Sequence, residues 1–344
     1  MTAQPITLAA DGIDPKRVPT RTLANGTQIP VVGLGTSGSD KYSGEVVAAA
    51  VIEAASLGYR HFDCASEYGN EEQIGKALRL IQDGGIRREE LWITSKVWND
   101  MHGDGDVIRA CKQSLKDLQL DALDLYLVHW PFPNFRPKGV SVNDRNPDAR
   151  PYIHKEYMRV WEQMEELVRM GLVRAIGTSN MTAAKMKWVL RDCAIKPAVN
   201  EMELHPHFQQ PGLYGYMVEN GIQPIGFCPV GSPSRPPRDR TSTDTTDTED
   251  PVVLKIADRL GVHPAVVCIM WALKRGHVAI PFSVRREQLL GNLRAAVENP
   301  LTPDDMRAIG DIDRNGRLIR GQAFLWRKGL TWRALWDEDG VIKR

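Results

Sequence analysis

Two textures alternate along this chain. Short, nearly continuous apolar runs rich in β-formers occur at 31–35, 59–63, 91–97, 123–129, 173–179, 198–204, 222–228 and 277–283. They lack the strict polar–apolar alternation of a half-solvated strand, so they read as strands covered on both faces, as in a parallel sheet. Between them lie stretches with helical period. In 106–120, Val107, Ala110, Cys111, Leu115 and Leu118 share one side. In 155–170, Met158, Trp161, Met164, Leu167 and Val168 form a similar stripe, broken by Glu165. Segments 45–57, 70–81, 181–191, 251–260 and 285–297 read the same way. Eight strands alternating with helices predict an α/β fold of the (β/α)8 TIM-barrel type rather than a doubly wound sheet.

The barrel reading gives the irregular segments a place. TLANGTQIP carries Asn25-Gly26, which predicts a two-residue β-hairpin ahead of the barrel, placed to plug one end. Two long connections, 131–153 and 229–250, are rich in Pro, Arg, Ser, Thr and Asp. Each follows a strand and so belongs to the C-terminal face, where barrel active sites are built. The low-complexity run 241–250 predicts a mobile stretch. The chain divides into an N-terminal extension (1–20), the barrel (21–320) and a C-terminal tail (321–344).

Composition narrows function chiefly by exclusion. The 344 residues carry 44 Lys+Arg against 43 Asp+Glu, a balance that gives no electrostatic reason to expect nucleic acid or an acidic membrane as partner. No apolar run approaches the roughly 20 residues that span a bilayer, and the N-terminus lacks a signal-peptide pattern. Five scattered cysteines without a CxxC pair predict reduced thiols in a cytoplasmic setting. His205 and His207 flank Pro206, but no metal-ligand spacing accompanies them; they read as a polar loop, and no metal is expected.

Four polar residues then stand out by position. Asp63, Lys96 and His129 end the second, third and fourth strands, and Tyr68 follows Asp63 in the loop. Singly, each has an ordinary explanation as a cap or surface group. Together, on a barrel, they converge on one mouth, and packing does not explain four such residues there. A tyrosine, ordinarily titrating near 10, becomes a usable acid if the Lys96 ammonium stabilises its phenolate. Asp63 would orient Lys96, and His129 would position a carbonyl oxygen for protonation by Tyr68 as hydride reaches the carbon.

The motifs GLGT (33–36), FDCASEYGNE (62–71), ITSKVWN (93–99), LYLVHWP (125–131), IGTSN (176–180), VNEMELHP (199–206) and GFCPVGSPSRP (226–236) resemble, in order and spacing, the signatures of the aldo-keto reductase family from about residue 22 to about 300. The resemblance implies an (α/β)8 barrel with an N-terminal hairpin, a tetrad of Asp63, Tyr68, Lys96 and His129, and an NAD(P)H-dependent reduction of aldehydes, ketones or sugar carbonyls. It assigns Ser179, Asn180 and Glu201 to the nicotinamide carboxamide, Phe227 to the stacking position, and Val230, Gly231 and Ser232 to the loop over the pyrophosphate. Gly35, Thr36, Ser283, Arg285 and Asn292 complete the implied cofactor set. Ser37, Trp98 and Trp130 fall at substrate-pocket positions. Most members act as monomers, and no heptad seam argues otherwise.

Departures from the family pattern concentrate on the cofactor side. Glu201 stands where Gln is usual, Phe227 where Tyr is usual, and Cys228 where Ser is usual. Phe282 and Gln288 replace two cations of the NADPH pattern, and Gly291 replaces an adenine-contacting Glu. Arg285 and Arg286 are gained in the same turn, which leans the choice toward NADP(H) over NAD(H). GLGTSG (33–38) also matches GxGxxG, but no helix opens behind it as a dinucleotide-binding turn requires. Other classes remain as alternatives: a non-catalytic, cofactor-sensing subunit, a net alcohol dehydrogenase working in reverse, and a metal-dependent barrel hydrolase. In the tail, Trp332 and Trp336 are spaced to dock a short helix on the barrel.

Overall fold

The computed structural model describes residues 6–38, 41–133, 149–233, 235 and 240–338. The centre of the first long connection, part of the second and the last residues of the tail therefore lie outside the described residues.

The eight apolar runs are the eight strands of one parallel sheet. They are β3 (Leu34–Gly35), β4 (His61–Asp63), β5 (Trp92–Val97), β6 (Leu123–Val128), β7 (Val173–Ser179), β8 (Val199–Glu203), β9 (Gln223–Phe227) and β10 (Val278–Ala279). Each pairs with its sequence neighbour. The ends close through a parallel bridge between Val32 and Ala279, with Gly35 N donating to Pro281 O at 3.0 Å. The result is a (β/α)8 barrel.

Period two decides what faces the lumen. Along β5, Trp92 joins the inner cluster while Ile93 and Val97 face the helices; along β6, Leu125 and Leu127 face in while Tyr126 and Val128 face out. The register Asp63↔Thr94 and Lys96↔Leu127 puts Asp63 and Lys96 on inward positions, and Glu201 shares the parity of inward Val199. The lumen is thus apolar at its base and charged only near the C-terminal ends of the strands.

The hairpin is β1 (Thr20–Thr22) and β2 (Gln28–Pro30). Leu23 and Ile29 insert into the inner apolar cluster, so the hairpin does close the base. Its turn is longer than the predicted two residues. Leu23 N bonds Thr27 O at 2.8 Å across Ala24-Asn25-Gly26, with Gly26 at φ 84°. Asn25 does not sit in the left-handed pair of a two-residue turn. Its carboxamide instead accepts from Thr27 Oγ1 (2.7 Å) and donates to Arg174 O (3.1 Å), which favours the three-residue loop ending in a left-handed glycine.

The outer ring comprises α1 (Gly44–Leu57), α2 (Glu71–Asp83), α3 (Asp106–Leu118), α4 (His154–Arg169), α5 (Ala183–Asp192), α6 (Pro211–Glu219), α7 (Pro251–Leu260), α8 (Pro264–Arg275), α9 (Arg286–Val297) and α10 (Pro303–Gly310). The stripe predicted for α3 is buried in full. The polar break in α4 is functional packing: Glu165 accepts from Ala194 N (2.8 Å) and Ile195 N (2.9 Å), tying up two otherwise free donors after α5. Helices α6, α8 and α10 have no counterpart in the sequence reading. The α6 sequence contains two glycines, and α8 is apolar nearly all round, so neither displays a one-sided stripe.

Candidate active site

Lys96 is the centre of the site. Its Nζ pairs with Asp63 Oδ1, donates to Cys64 O at 3.2 Å, lies 3.5 Å from the Tyr68 hydroxyl and 3.4 Å from Glu201 Oε1. Lys96, Asp63 and Glu201 are all buried. Asp63 is fixed from behind: Thr36 Oγ1 donates to Asp63 O (2.8 Å), and Asn70 Nδ2 donates to Thr36 O (2.8 Å). Tyr68 ends a short 3-10 turn, Ser66–Tyr68, broken by Gly69 at φ 65°. His129 stands edge-on to Tyr68, ring centroids 5.7 Å apart, and to Trp98 at 5.0 Å. Asn180 Nδ2 donates to His129 O at 3.0 Å. The four residues predicted to converge do so.

The electrostatics sharpen that expectation and correct one part of it. Burial alone would discharge Lys96, but Asp63, Glu201 and Tyr68 outweigh it and hold the ammonium well above its ordinary range. Burial pushes the Tyr68 hydroxyl up, with Lys96 only partly offsetting it. In the free protein Tyr68 is therefore a fully protonated reserve, not an acid lowered toward neutrality. Burial, reinforced by Lys96, keeps the His129 ring neutral. Burial and the neighbouring Asp63 push the Glu201 carboxyl up to about 8, against the pull of Lys96.

Several side chains of this site carry polar atoms without a partner. Among the described residues, Asn180 Oδ1, Glu201 Oε2, Asp63 Oδ2 and His129 Nδ1 are buried without a hydrogen-bond partner. Burying such atoms unpaired costs about 1–3 kcal/mol each, a cost recovered if a ligand supplies donors. Asn180 Oδ1 lies just past the end of β7 and Glu201 Oε2 on the neighbouring β8, where Ser179 pairs with Glu201 in the sheet register. Asn180 takes φ 57°, and its N–H donates to Glu201 O at 2.8 Å. An amide NH2 group, such as a nicotinamide carboxamide, fits this donor deficit. Phe227 is half-buried at the end of the next strand and packs against the inner apolar cluster.

The other residues predicted to bind the cofactor lie at or beyond the C-terminal ends of the neighbouring strands. After Phe227 the chain turns through Cys228 at φ 50°, Gly231 at φ 69° and Ser232 at φ 43°. A Cβ on Gly231 would fall 1.9 Å from Asp247 Oδ2, so only glycine fits there. Val230 is half-buried beside it. Gly35 is buried at the closing strand. At α9, Ser283 Oγ accepts from Arg285 N (3.0 Å) and donates to Gln288 (2.7 Å), and Asn292 is buried one turn on. The two arginines gained in this turn are not equivalent. Arg286 is engaged by Asp11 at 2.6 Å and by Glu53, on the outer face. Arg285 is exposed and makes no ion pair among the described residues, at the positive end of a 12-residue helix.

The second long connection also differs from expectation. The run 241–250 is anchored rather than loose. Asp244 accepts from Arg235 (2.5 Å) and Arg320 (2.9 Å), and Asp250 caps α7 while accepting from His207 (2.9 Å). Buried Asp247 holds His205 at 2.9 Å, and Glu203 holds its other ring nitrogen at 3.1 Å. His205 and His207 thus bond to carboxylates of the chain, and no group of three or more His, Cys, Asp or Glu suited to a metal occurs among the described residues.

An aromatic cluster adjoins His129. Trp98 and Trp130 are buried, with Phe324 5.9 Å from Trp98 and 4.7 Å from Trp130. Trp336 packs on Trp130 at 5.6 Å, from a 3-10 turn Trp332–Trp336 docked on the barrel. Ser37 is exposed at the rim. Phe132 and Phe324 escaped the sequence reading, because isolated aromatics in a loop and a tail have no periodicity to reveal them. The tail is held by Asp337, which pairs at 2.7 Å with buried Lys185 of α5. A separate cavity of about 450 Å³ opens at the opposite end of the barrel, between the hairpin, Arg60, Asp124 and Arg174. It contains none of the four converging residues.

Comparison with known proteins agrees with this geometry. The aldo/keto reductase family model matches residues 31–314. An aldo/keto reductase of Synechocystis is 41% identical over 92% of this chain and 95% of its own length. A glycerol 2-dehydrogenase (NADP(+)) of Hypocrea jecorina is 37% identical over 93% of this chain and 98% of its own. The crystal structure of a Bombyx mori aldo-keto reductase in complex with NADP superposes with a TM-score of 0.78 at 30% identity, covering 90% of this chain and 96% of that one.

Proposed function

The chain belongs to the aldo/keto reductase family, and from that premise we propose that it reduces aldehydes and ketones to alcohols with NADP(H), Tyr68 acting as the proton donor. The observation that carries the reading is the Lys96 constellation: a buried, paired ammonium 3.5 Å from a protonated phenol at the barrel mouth. When bound, the nicotinamide supplies the hydride. Everything else is done by this chain's residues. Neutral His129 offers a ring N–H to hold the carbonyl oxygen. Tyr68 passes its proton to that oxygen as negative charge develops there. Lys96, held charged by Asp63, stabilises the phenolate left behind, which offsets the burial that otherwise resists its formation. In reverse, the same phenolate is the base for alcohol oxidation, so flux direction follows the cofactor pool.

Asn180 and Glu201 would take the carboxamide through their unpartnered oxygens, with Ser179 alongside. Phe227 would supply the stacking face, and Val230, Gly231 and Ser232 the loop over the pyrophosphate. Gly35, Thr36, Ser283 and Asn292 would complete the binding rim. Unpaired Arg285 at the start of α9 would accept the 2′-phosphate, which favours NADP(H). The NADP named for the glycerol dehydrogenase and for the silkworm structure supports the same choice. Trp98, Trp130 and Ser37 would shape a pocket for small aromatic or aliphatic carbonyls. We also propose a monomer, built as an extension (1–20), barrel (21–320) and tail (321–344), working in a cytoplasmic, reducing compartment. All five cysteines are free thiols, and no described helix is long and apolar enough to cross a membrane.

The test is consumption of NADPH with a panel of aldehydes, keto sugars and diketones. Turnover with cofactor specificity above one for NADPH over NADH supports the reading. Tight cofactor binding without turnover of any carbonyl rejects it in favour of a cofactor-sensing protein.

A further inference from the structure

Glu201 is a second carboxylate on a lysine that already has one. Asp63 pairs with Lys96 from β4, and Glu201 Oε1 approaches the same Nζ to 3.4 Å from β8. All three side chains are buried in the lumen. One ammonium cannot neutralise two buried carboxylates, and ionising both leaves a net negative charge in a low-dielectric site. The proton therefore settles on one of them. Asp63 has the shorter, direct pair, so Glu201 is the one that stays neutral. Its other oxygen, Oε2, is unpartnered, as is Asn180 Oδ1 just past the end of the neighbouring strand β7.

The surroundings single out what can act on this carboxyl. Lys96 from β5, Asp63 from β4 and Tyr68 from the following loop are the charged or titratable groups coupled to it. Its register neighbours, Ser179 on β7 and Ile225 on β9, do not ionise. Neutral His129, just past the end of β6, contributes no charge.

Resting on the reading that Glu201 meets the nicotinamide carboxamide, we propose that Glu201 is a proton switch matched to the cofactor's redox state: neutral beside the reduced ring, ionised beside the oxidised, positively charged one. The charge balance is complete. Hydride leaves the reduced ring for the carbonyl carbon, and Tyr68 gives its proton to the oxygen. The phenolate then regains a proton from Lys96, 3.5 Å away, and Lys96 regains one from Glu201, 3.4 Å away. The site begins with a neutral carboxyl and a neutral ring and ends with a carboxylate and a cationic ring, so net charge in the barrel is conserved through the step. Burial and Asp63 raise the free carboxyl while Lys96 opposes them, which brings both states within reach. A glutamine at this position makes the same carboxamide contact but has no proton to release.

The experiment is a fluorescence titration of the full-length protein with NADP+ and with NADPH from pH 6.5 to 9.5. Adenine and 2′-phosphate titrations are common to both forms and cancel in the ratio of the two dissociation constants. The expected result is that NADP+ tightens relative to NADPH by about tenfold across this range, one pKa unit of coupling. In Glu201→Gln the ratio stays constant within about twofold. A flat ratio in the unmodified protein overturns the inference alone and needs no variant to interpret. A slope that persists in Glu201→Gln assigns the proton elsewhere and also overturns it. Failure of either cofactor to bind overturns the functional reading and this inference with it.

Discussion

The Tyr68 hydroxyl lies 3.5 Å from Lys96 Nζ, and that ammonium is itself paired with Asp63 in the barrel lumen. The phenol is kept protonated by burial and the lysine kept charged chiefly by Asp63. The chemistry consequently depends on Lys96 in two separable ways, through catalysis and through stability.

Replacing Lys96 with Met should expose both. Asp63 is left buried without its counter-ion, which costs about 3–5 kcal/mol in a broken buried pair. Carbonyl reduction should fall by about 10²-fold or more as phenolate stabilisation is lost. Denaturant unfolding and kcat measured on the same variant check the two effects. Lys96→Met together with Asp63→Asn should recover much of the stability and none of the rate.

His205 predicts an alkaline weakness. Burial opposes its charge, but Asp247 and Glu203 on either ring nitrogen raise it to about 9. A group raised in the folded state contributes stability that is present below its ordinary 6.5 and lost as pH rises through about 9. The loss should be on the order of 2–3 kcal/mol between those limits. Urea midpoints measured from pH 6 to 10 should fall in the unmodified protein and stay flatter in His205→Asn. An equal fall in both places the titration elsewhere.

Tail docking should control substrate choice. Asp337 is the counter-ion of buried Lys185, and Trp336 closes over Trp130. In Asp337→Ala the tail should undock. KM for bulky aromatic aldehydes should then change by about an order of magnitude, the value of a lost contact near 1.4 kcal/mol. Affinity for NADPH should stay as it is. Steady-state kinetics on small and large substrates, with cofactor titration as the control, decides this.

At α9, Arg285→Ala should lower the NADPH over NADH ratio of kcat/KM by about tenfold, the scale of one charge-assisted hydrogen bond. Arg286→Ala should leave the ratio alone, because Arg286 is committed to Asp11 and Glu53.

Much of this architecture was legible in the chain. Strands buried on both faces have a plain signature, and all eight were visible as apolar runs; their ends then located Asp63, Lys96 and His129. The failures have physical causes. Helix α8 is enclosed and so lacks a polar face, and α6 is short and glycine-containing. Asn25 has a long-range partner in Arg174, which outweighs the local two-residue turn signal. The run 241–250 looked loose because its anchors, Arg235, His205 and Arg320, are distant in sequence or dispersed among ordinary residues. The direction of the Tyr68 shift was missed because burial, the dominant cause, is not written in any single residue.

The central claim rests on the Tyr68 hydroxyl, which Tyr68→Phe removes with little else. With NADPH bound at unchanged affinity, carbonyl reduction should drop by about 10²–10⁴-fold, the scale of a lost general acid. Reduction at an unimpaired rate by the same variant would contradict the account.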